Sequence, residues 1–216
     1  MTTVSEERRN AGRPRALTVE AVVDAALALI ERDGLSALSI RSLAAELGVM
    51  PRTVYTYVAG KDELLQLMAD RFLERAAIEP PRPDLPWAEE LARILRDYYR
   101  LYVARPHALD LLLHPDLRNV TGLEIVAANI ELLKAAGFDA RESLLINRAL
   151  NRFVVGSAHG QRAEQALGPQ ELDYVHRLAT QVGGIGDITP DDIFEHGLGL
   201  MLESLSTRAS SRLAQR

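Results

Sequence analysis

Apolar residues recur every three or four positions through most of the chain, and no segment alternates with the period of two that a half-buried strand needs. Val22, Val23, Ala26, Leu27 and Ile30 form the first stripe, with Thr18 placed as N-cap and Asp33-Gly34 as its end. Ile40, Leu43, Ala44 and Leu47 form a shorter one after Ser39, whose hydroxyl can accept from a free amide of the first turn. Gly48 falls where that helix must stop, since glycine reaches the left-handed conformation at little steric cost. Pro51 suits the first turn of a further short helix, where its missing amide hydrogen is no loss. That helix turns Val54 and Val58 inward and leaves Arg52, Thr53, Thr56 and Tyr57 on other faces. Leu64, Leu65, Met68, Ala69, Phe72 and Leu73 predict a fourth helix, from Lys61 to about Ala77.

Between Glu79 and Pro86, four of eight residues are proline, which no helix can continue through. Helical periodicity then resumes over Trp87 to Ala104, with Leu91, Ile94, Leu95, Tyr98 and Tyr102 on one side. Further helices are predicted at Pro106 to Leu113, ended by His114-Pro115, and at Thr121 to Ala136, closed by Gly137. A long one runs from Ala140 to Leu167 and a short one from Gln170 to Val182, followed by a loop at Gly183–Gly186. The last runs from Pro190 to about Leu205, and the tail from Ser206 is expected to fray. The pattern therefore predicts an all-α fold: a flexible basic arm (1–14), a three-helix helix-turn-helix DNA-binding domain (15–76) and a helical domain (87–206).

A short helix bearing hydroxyls, an arginine and aromatics, propped on an amphipathic partner across a glycine turn, can enter a DNA major groove. Over these residues the chain resembles the TetR family of one-component transcriptional regulators. Leu38-Ser39, Arg41, Leu43-Ala44, Leu47-Gly48-Val49, Thr53-Val54-Tyr55, Tyr57, Lys61 and Leu64 match that family's motif at its fixed spacing. Pro86-Trp87, the Arg105-Pro106-His107 break and Leu132 to Phe138 are similar to the C-terminal domain of its tetracycline-repressor branch. The resemblance implies a homodimer that binds operator DNA and is released by a small-molecule effector, and the lack of a membrane-spanning run or signal-peptide pattern leads to the expectation of a cytoplasmic protein. An activator of the same fold and, as the competing class, an enzyme with a helical pocket are the alternatives.

Composition narrows this reading. No cysteine is present, which excludes disulfides and thiolate catalysis, and no apolar run is long enough to span a membrane. The net charge of −5, with ten basic and eleven acidic residues in 1–76, excludes binding through an overall positive field. DNA contact must then come from a few clustered cations. In the arm and at its junction with the domain, Arg8, Arg9, Arg13 and Arg15 can follow phosphates or the minor groove, or simply be solvated.

Position on a groove-docked helix assigns roles. Arg52 can pair with guanine, and Thr53 or Thr56 can touch a base edge or a thymine methyl. Tyr55 and Tyr57 can place hydroxyls on phosphates, with a core role as the alternative for Tyr55. Lys61 sits near a helix N-terminus, which favours phosphate. Arg41 and Ser42 can reach the backbone from the supporting helix. In the second domain, Asn147 and Asn151 share a helix face with Ser143, which points to a polar network or a polar ligand. Tyr98, Tyr102 and Asn129 are further ligand-binding candidates, and the resemblance places Tyr98, Asn129 and Asn147 at pocket-lining positions. The His and Asn of tetracycline-specific members are replaced by Ala77 and Ile94, which counts against tetracycline itself. The five histidines show no metal-ligand spacing, no catalytic motif is found, and neither metal nor cofactor is expected.

The resemblance also implies that the long helix and the last one pair with their copies in a second subunit, and Leu145, Ala149, Phe153, Gly156 and Gly160 on the former and Gly197, Leu198, Gly199, Met201, Leu202 and Leu205 on the latter fit that role. The glycines imply close helix approach or a local kink.

Overall fold

The computed structural model describes residues 17–82, 84–114, 120–181 and 188–213. The arginines of the arm and the Gly183–Gly186 loop lie outside them. Among the described residues the chain forms ten α-helices and no strand, and it divides into two compact units between Leu64 and Leu65, inside α4 (Lys61–Ala76).

The first unit is built by its caps. The Thr18 hydroxyl accepts from the Ala21 amide at 3.2 Å to open α1 (Val19–Asp33), and Gly34, at φ 81°, closes it by donating its N–H to the Ile30 carbonyl. A single 3-10 turn, Leu35–Ala37, leads to α2 (Ile40–Glu46). Ser39 caps α2 reciprocally with Ser42: each backbone N–H donates to the other's hydroxyl, at 2.9 and 3.0 Å. Gly48 turns the chain at φ 66°. The next helix, α3, is a single turn at Pro51–Val54, continued by hydrogen-bonded turns through Tyr57. Val22, Val23, Ala26, Leu29, Ile30, Leu43, Ala44, Val54 and Val58 form the buried interior. Leu29 replaces Leu27, which is only half-buried, on the α1 stripe.

The second unit holds α5 (Trp87–Ala104), α6 (Pro106–Leu112), α7 (Val120–Ala135), α8 (Ala140–Gln165), α9 (Pro169–Gln181) and α10 (Pro190–Leu213). Helix α8 packs against α5, α6, α7 and α10. Its tie to α10 is a run of stacked rings: Tyr99 on Phe194 at 3.8 Å, and Phe194 on Phe153 at 5.6 Å. The Tyr99 hydroxyl lies 2.9 Å from Gln161 Oε1 and 2.8 Å from Asp191 Oδ1. Arg96 grips Glu195 with both carboxylate oxygens within 2.9 Å. The proline-rich segment is pinned to α5 by a buried carboxylate. Glu90 accepts from Arg82 at 2.6 Å and from Arg93 at 3.0 Å, and Arg93 also donates to the Glu79 and Pro80 carbonyls.

Two expectations are corrected here. The segment from Ser206 does not fray: α10 continues to Leu213, because Ala209 is buried and Arg208 and Arg212 both pair with Glu142 of α8. Leu198 does not lie on a free face either, being 0% exposed within its own chain. Gly197 likewise serves an approach inside the chain, where a Cβ would stand 2.7 Å from Phe153 Cζ. Gly156, Gly160 and Gly199 face open space.

Candidate nucleic-acid interface and effector cavity

The α2–α3 hairpin divides its side chains sharply. Val54 and Val58 are buried, which fixes the rotation of the short helix and thereby the direction of its other residues. Arg52, Tyr55 and Thr56 are exposed, and Thr53 and Tyr57 are half-buried. Tyr55, at 55% exposure, is therefore no core residue. The Thr56 hydroxyl donates to the Thr53 carbonyl at 2.7 Å, which leaves its oxygen available as an acceptor. Met50, which the pattern does not single out, is 61% exposed just ahead of α3. On the supporting helix Arg41 is exposed, whereas the Ser42 hydroxyl is engaged at the helix start, donating to the Ala37 carbonyl at 2.8 Å. Ser42 thus contributes to the architecture of the hairpin before any contact with DNA. Lys61 is exposed in the first turn of α4, where the Ala59 amide donates to the Glu63 carboxylate and steadies the turn. Four unpaired amides at such an end attract anions.

In the second unit, α5, α7 and α8 surround a cavity of about 550 Å³. The structure brings Tyr98, Tyr102, Asn129, Asn147 and Asn151 together on its wall, from three helices. Leu95, Leu109, Val126 and Val154 supply apolar wall, and no described lining residue is charged. Periodicity cannot distinguish such residues from solid core, because both face inward. Asn129 and Asn147 are 5% and 7% exposed, while Asn151 is exposed and sits at the rim. Ser143, on the same face of α8, is buried outside the cavity wall. The Tyr98 and Tyr102 rings lie 5.7 Å apart at a 42° tilt. Burial pushes both phenols well above their ordinary range, so they stay neutral hydrogen-bonding groups. Tyr99 belongs to the ring stack instead. Among the described residues no group of three or more His, Asp or Glu is placed to hold a metal ion. No helix there is long and apolar enough to cross a membrane.

A third feature is a groove of about 1000 Å³ between α8 and α10. Leu145 and Leu200 on its walls are 53% and 56% exposed, and Met201 and Leu205 form its floor. Arg141, Arg208 and Arg212 stand at one end.

Residues 22–68, which run from α1 into α4, match the family model for bacterial regulatory proteins of the tetR family. The HTH-type transcriptional repressor DrrR1 of Streptomyces coeruleorubidus is 30% identical over 158 residues, 73% of this chain and 58% of that protein. The tetracycline repressor class A from transposon 1721 of Escherichia coli is 26% identical over 195 residues, covering 87% of this chain and 89% of that one. The chain spans about three fifths of the length of DrrR1 and of an HTH-type transcriptional regulator from Saccharopolyspora erythraea. Among solved structures, the Streptomyces coelicolor TetR family protein ActR in complex with actinorhodin aligns with a TM-score of 0.75 at 26% identity. That alignment covers 90% of this chain and 99% of ActR. The likeness runs through the hairpin in sequence and through nearly the whole chain in fold, and the chain belongs to the TetR family of bacterial regulatory proteins.

Proposed function

We propose that this protein is a ligand-responsive, DNA-binding transcriptional regulator, a repressor that leaves its operator when a small molecule fills the cavity among α5, α7 and α8. The carrying observation is the hairpin: Val54 and Val58 are buried behind the glycine turn, so that Arg52, Tyr55 and Thr56 face outward from one rigid helix start. That arrangement presents base-reading groups near the N-terminus of a recognition helix, with Lys61 and Arg41 as phosphate contacts. The repressor named DrrR1 and the complex of ActR with actinorhodin support repression and effector binding as the two halves of the role.

Such a protein works as a homodimer in the cytoplasm. The exposed Leu145 and Leu200 on the α8–α10 groove supply an apolar face that a second copy would cover. Two recognition helices then meet half-sites one helical turn apart, ~34 Å. An effector that prefers a different separation draws the population away from the operator-competent form, by no more than its differential affinity. The protein itself carries out no chemistry on the effector.

The test is binding to duplex DNA from the protein's own upstream region, titrated against a shuffled duplex at several salt concentrations. Preference for the upstream duplex that persists as salt rises is expected. Equal affinity for both duplexes at every salt concentration refutes site-specific recognition.

A further inference from the structure

The chemistry of the cavity wall selects among effectors. We infer that it takes an uncharged organic molecule that donates a hydrogen bond to Asn129 and binds without a metal ion. This rests on the proposed role of the cavity as the effector site.

Three observations converge. First, the described wall consists of leucines, valines, one isoleucine, one glycine, two tyrosines and three asparagines, and no charged side chain. A carboxylate or ammonium entering it would lose its hydration and meet no counter-charge among the described residues, and an unpaired buried ion is heavily penalised. Sites for divalent cations are usually anchored by at least one carboxylate or imidazole, and the wall offers neither among the described residues. Second, Asn129 Oδ1 is fully buried and has no hydrogen-bond partner there. A buried carbonyl oxygen left unpaired is costly, and such groups in folded proteins are nearly always satisfied. It lies on the cavity wall, so a hydroxyl or N–H of the occupant can complete it. Third, Tyr98 and Tyr102 present two neighbouring rings on one side, a surface on which a flat ring packs well. At about 550 Å³ the volume suits a drug-sized molecule.

A matched set of fluorescent probes separates these requirements: 9-anthracenemethanol (neutral donor), 9-methylanthracene (neutral, no donor) and anthracene-9-carboxylate (anion). Each is titrated with the full-length protein and with Asn129→Leu, with and without EDTA, the variant's folding checked by circular dichroism. The alcohol is expected to bind about three- to tenfold more tightly than the methyl compound, the usual worth of one buried hydrogen bond. The carboxylate is expected to bind at least about a hundredfold more weakly than the alcohol. Asn129→Leu should keep the methyl compound and erase the alcohol's advantage, and EDTA should change nothing. A carboxylate that binds as well as the alcohol, an alcohol preference that survives Asn129→Leu, or a requirement for divalent cation overturns this inference while leaving an effector site in place. If none of the three probes binds, this inference falls, and the operator titration above still tests the regulator reading separately. Should Asn129→Leu not fold, the ranking on the unsubstituted protein decides alone.

Discussion

Alanine is the better helix former, yet Gly197→Ala should destabilise the second unit. A Cβ at this position stands 2.7 Å from Phe153 Cζ and 2.8 Å from Cε2. Carbon atoms attract only at ~3.5–4.0 Å, so something must move. The Phe153 ring stacks on Phe194, which is buried and stacks in turn on Tyr99, so a shift of the ring disturbs that stack. Overpacking of a well-filled contact costs about 1–3 kcal/mol. The gain in helix propensity returns about 1 kcal/mol, which leaves a net loss near ~1 kcal/mol. For a chain of this length that corresponds to a fall in Tm of about 2–4 °C. Phe153→Leu removes the two clashing ring atoms and should lower stability by itself through lost stacking. The double variant should nevertheless be more stable than the sum of the two losses, by about 1 kcal/mol or more. Urea melts followed by circular dichroism, at one fixed protein concentration, measure all four corners of the cycle. A Gly197→Ala protein more stable than its parent, or strictly additive losses, would refute the reasoning.

Other predictions concern DNA, assembly and acid. Lys61→Ala should weaken binding to all duplexes alike and lower the salt slope by about one, whereas Arg52→Ala should cost ~1–3 kcal/mol on the operator and relax preference at one base pair per half-site. Titrations on the operator and its single-base variants at two salt concentrations separate the two, and uniform losses for Arg52→Ala would move base reading to Thr53, Thr56 and Tyr57. Leu145→Asp combined with Leu200→Asp should sediment as a folded monomer, since each would place an unpaired charge in the proposed subunit contact; an unchanged dimer excludes the α8–α10 face. Glu90 is held below its ordinary carboxylate value chiefly by the Arg82 side chain, then by Arg93 and the Arg82 amide. Its contribution is therefore present above the unfolded-state value near 4.5 and lost as pH falls through the lower folded-state value. Glu90→Gln should accordingly lower stability at pH 7 and bring the variant and parent together as the pH drops below about 4; parallel acid-unfolding curves would exclude this role.

Much of the fold is legible from neighbouring residues alone. Thr18, Ser39, Gly34 and Gly48 act within three or four positions of themselves, so their helix ends follow from local geometry whatever surrounds them. The inward set of Val54 and Val58, and with it the outward set of Arg52, Tyr55 and Thr56, follows from helical spacing in the same way. So does the all-α character of the chain. Contacts between helices distant in sequence do not. On α10, Leu198 and Leu200 look alike in the sequence, but one is sealed in the core and the other is half in water, because the bearing of α8 and the Phe153–Phe194 stack set the rotation of α10. Gly197 carries no mark of the ring that crowds it, and Ser206 to Leu213 stay helical through partners on α8 some 66 residues earlier in the chain. Tyr99 and Tyr98 adjoin on one helix, yet Tyr99 closes a stack and Tyr98 walls a cavity. The three asparagines announce polarity on apolar faces, but only packing decides that Asn129 Oδ1 is left without a partner and Asn151 reaches solvent. Local bonds are encoded where they form, whereas an empty space exists only between elements and is determined by all of them together.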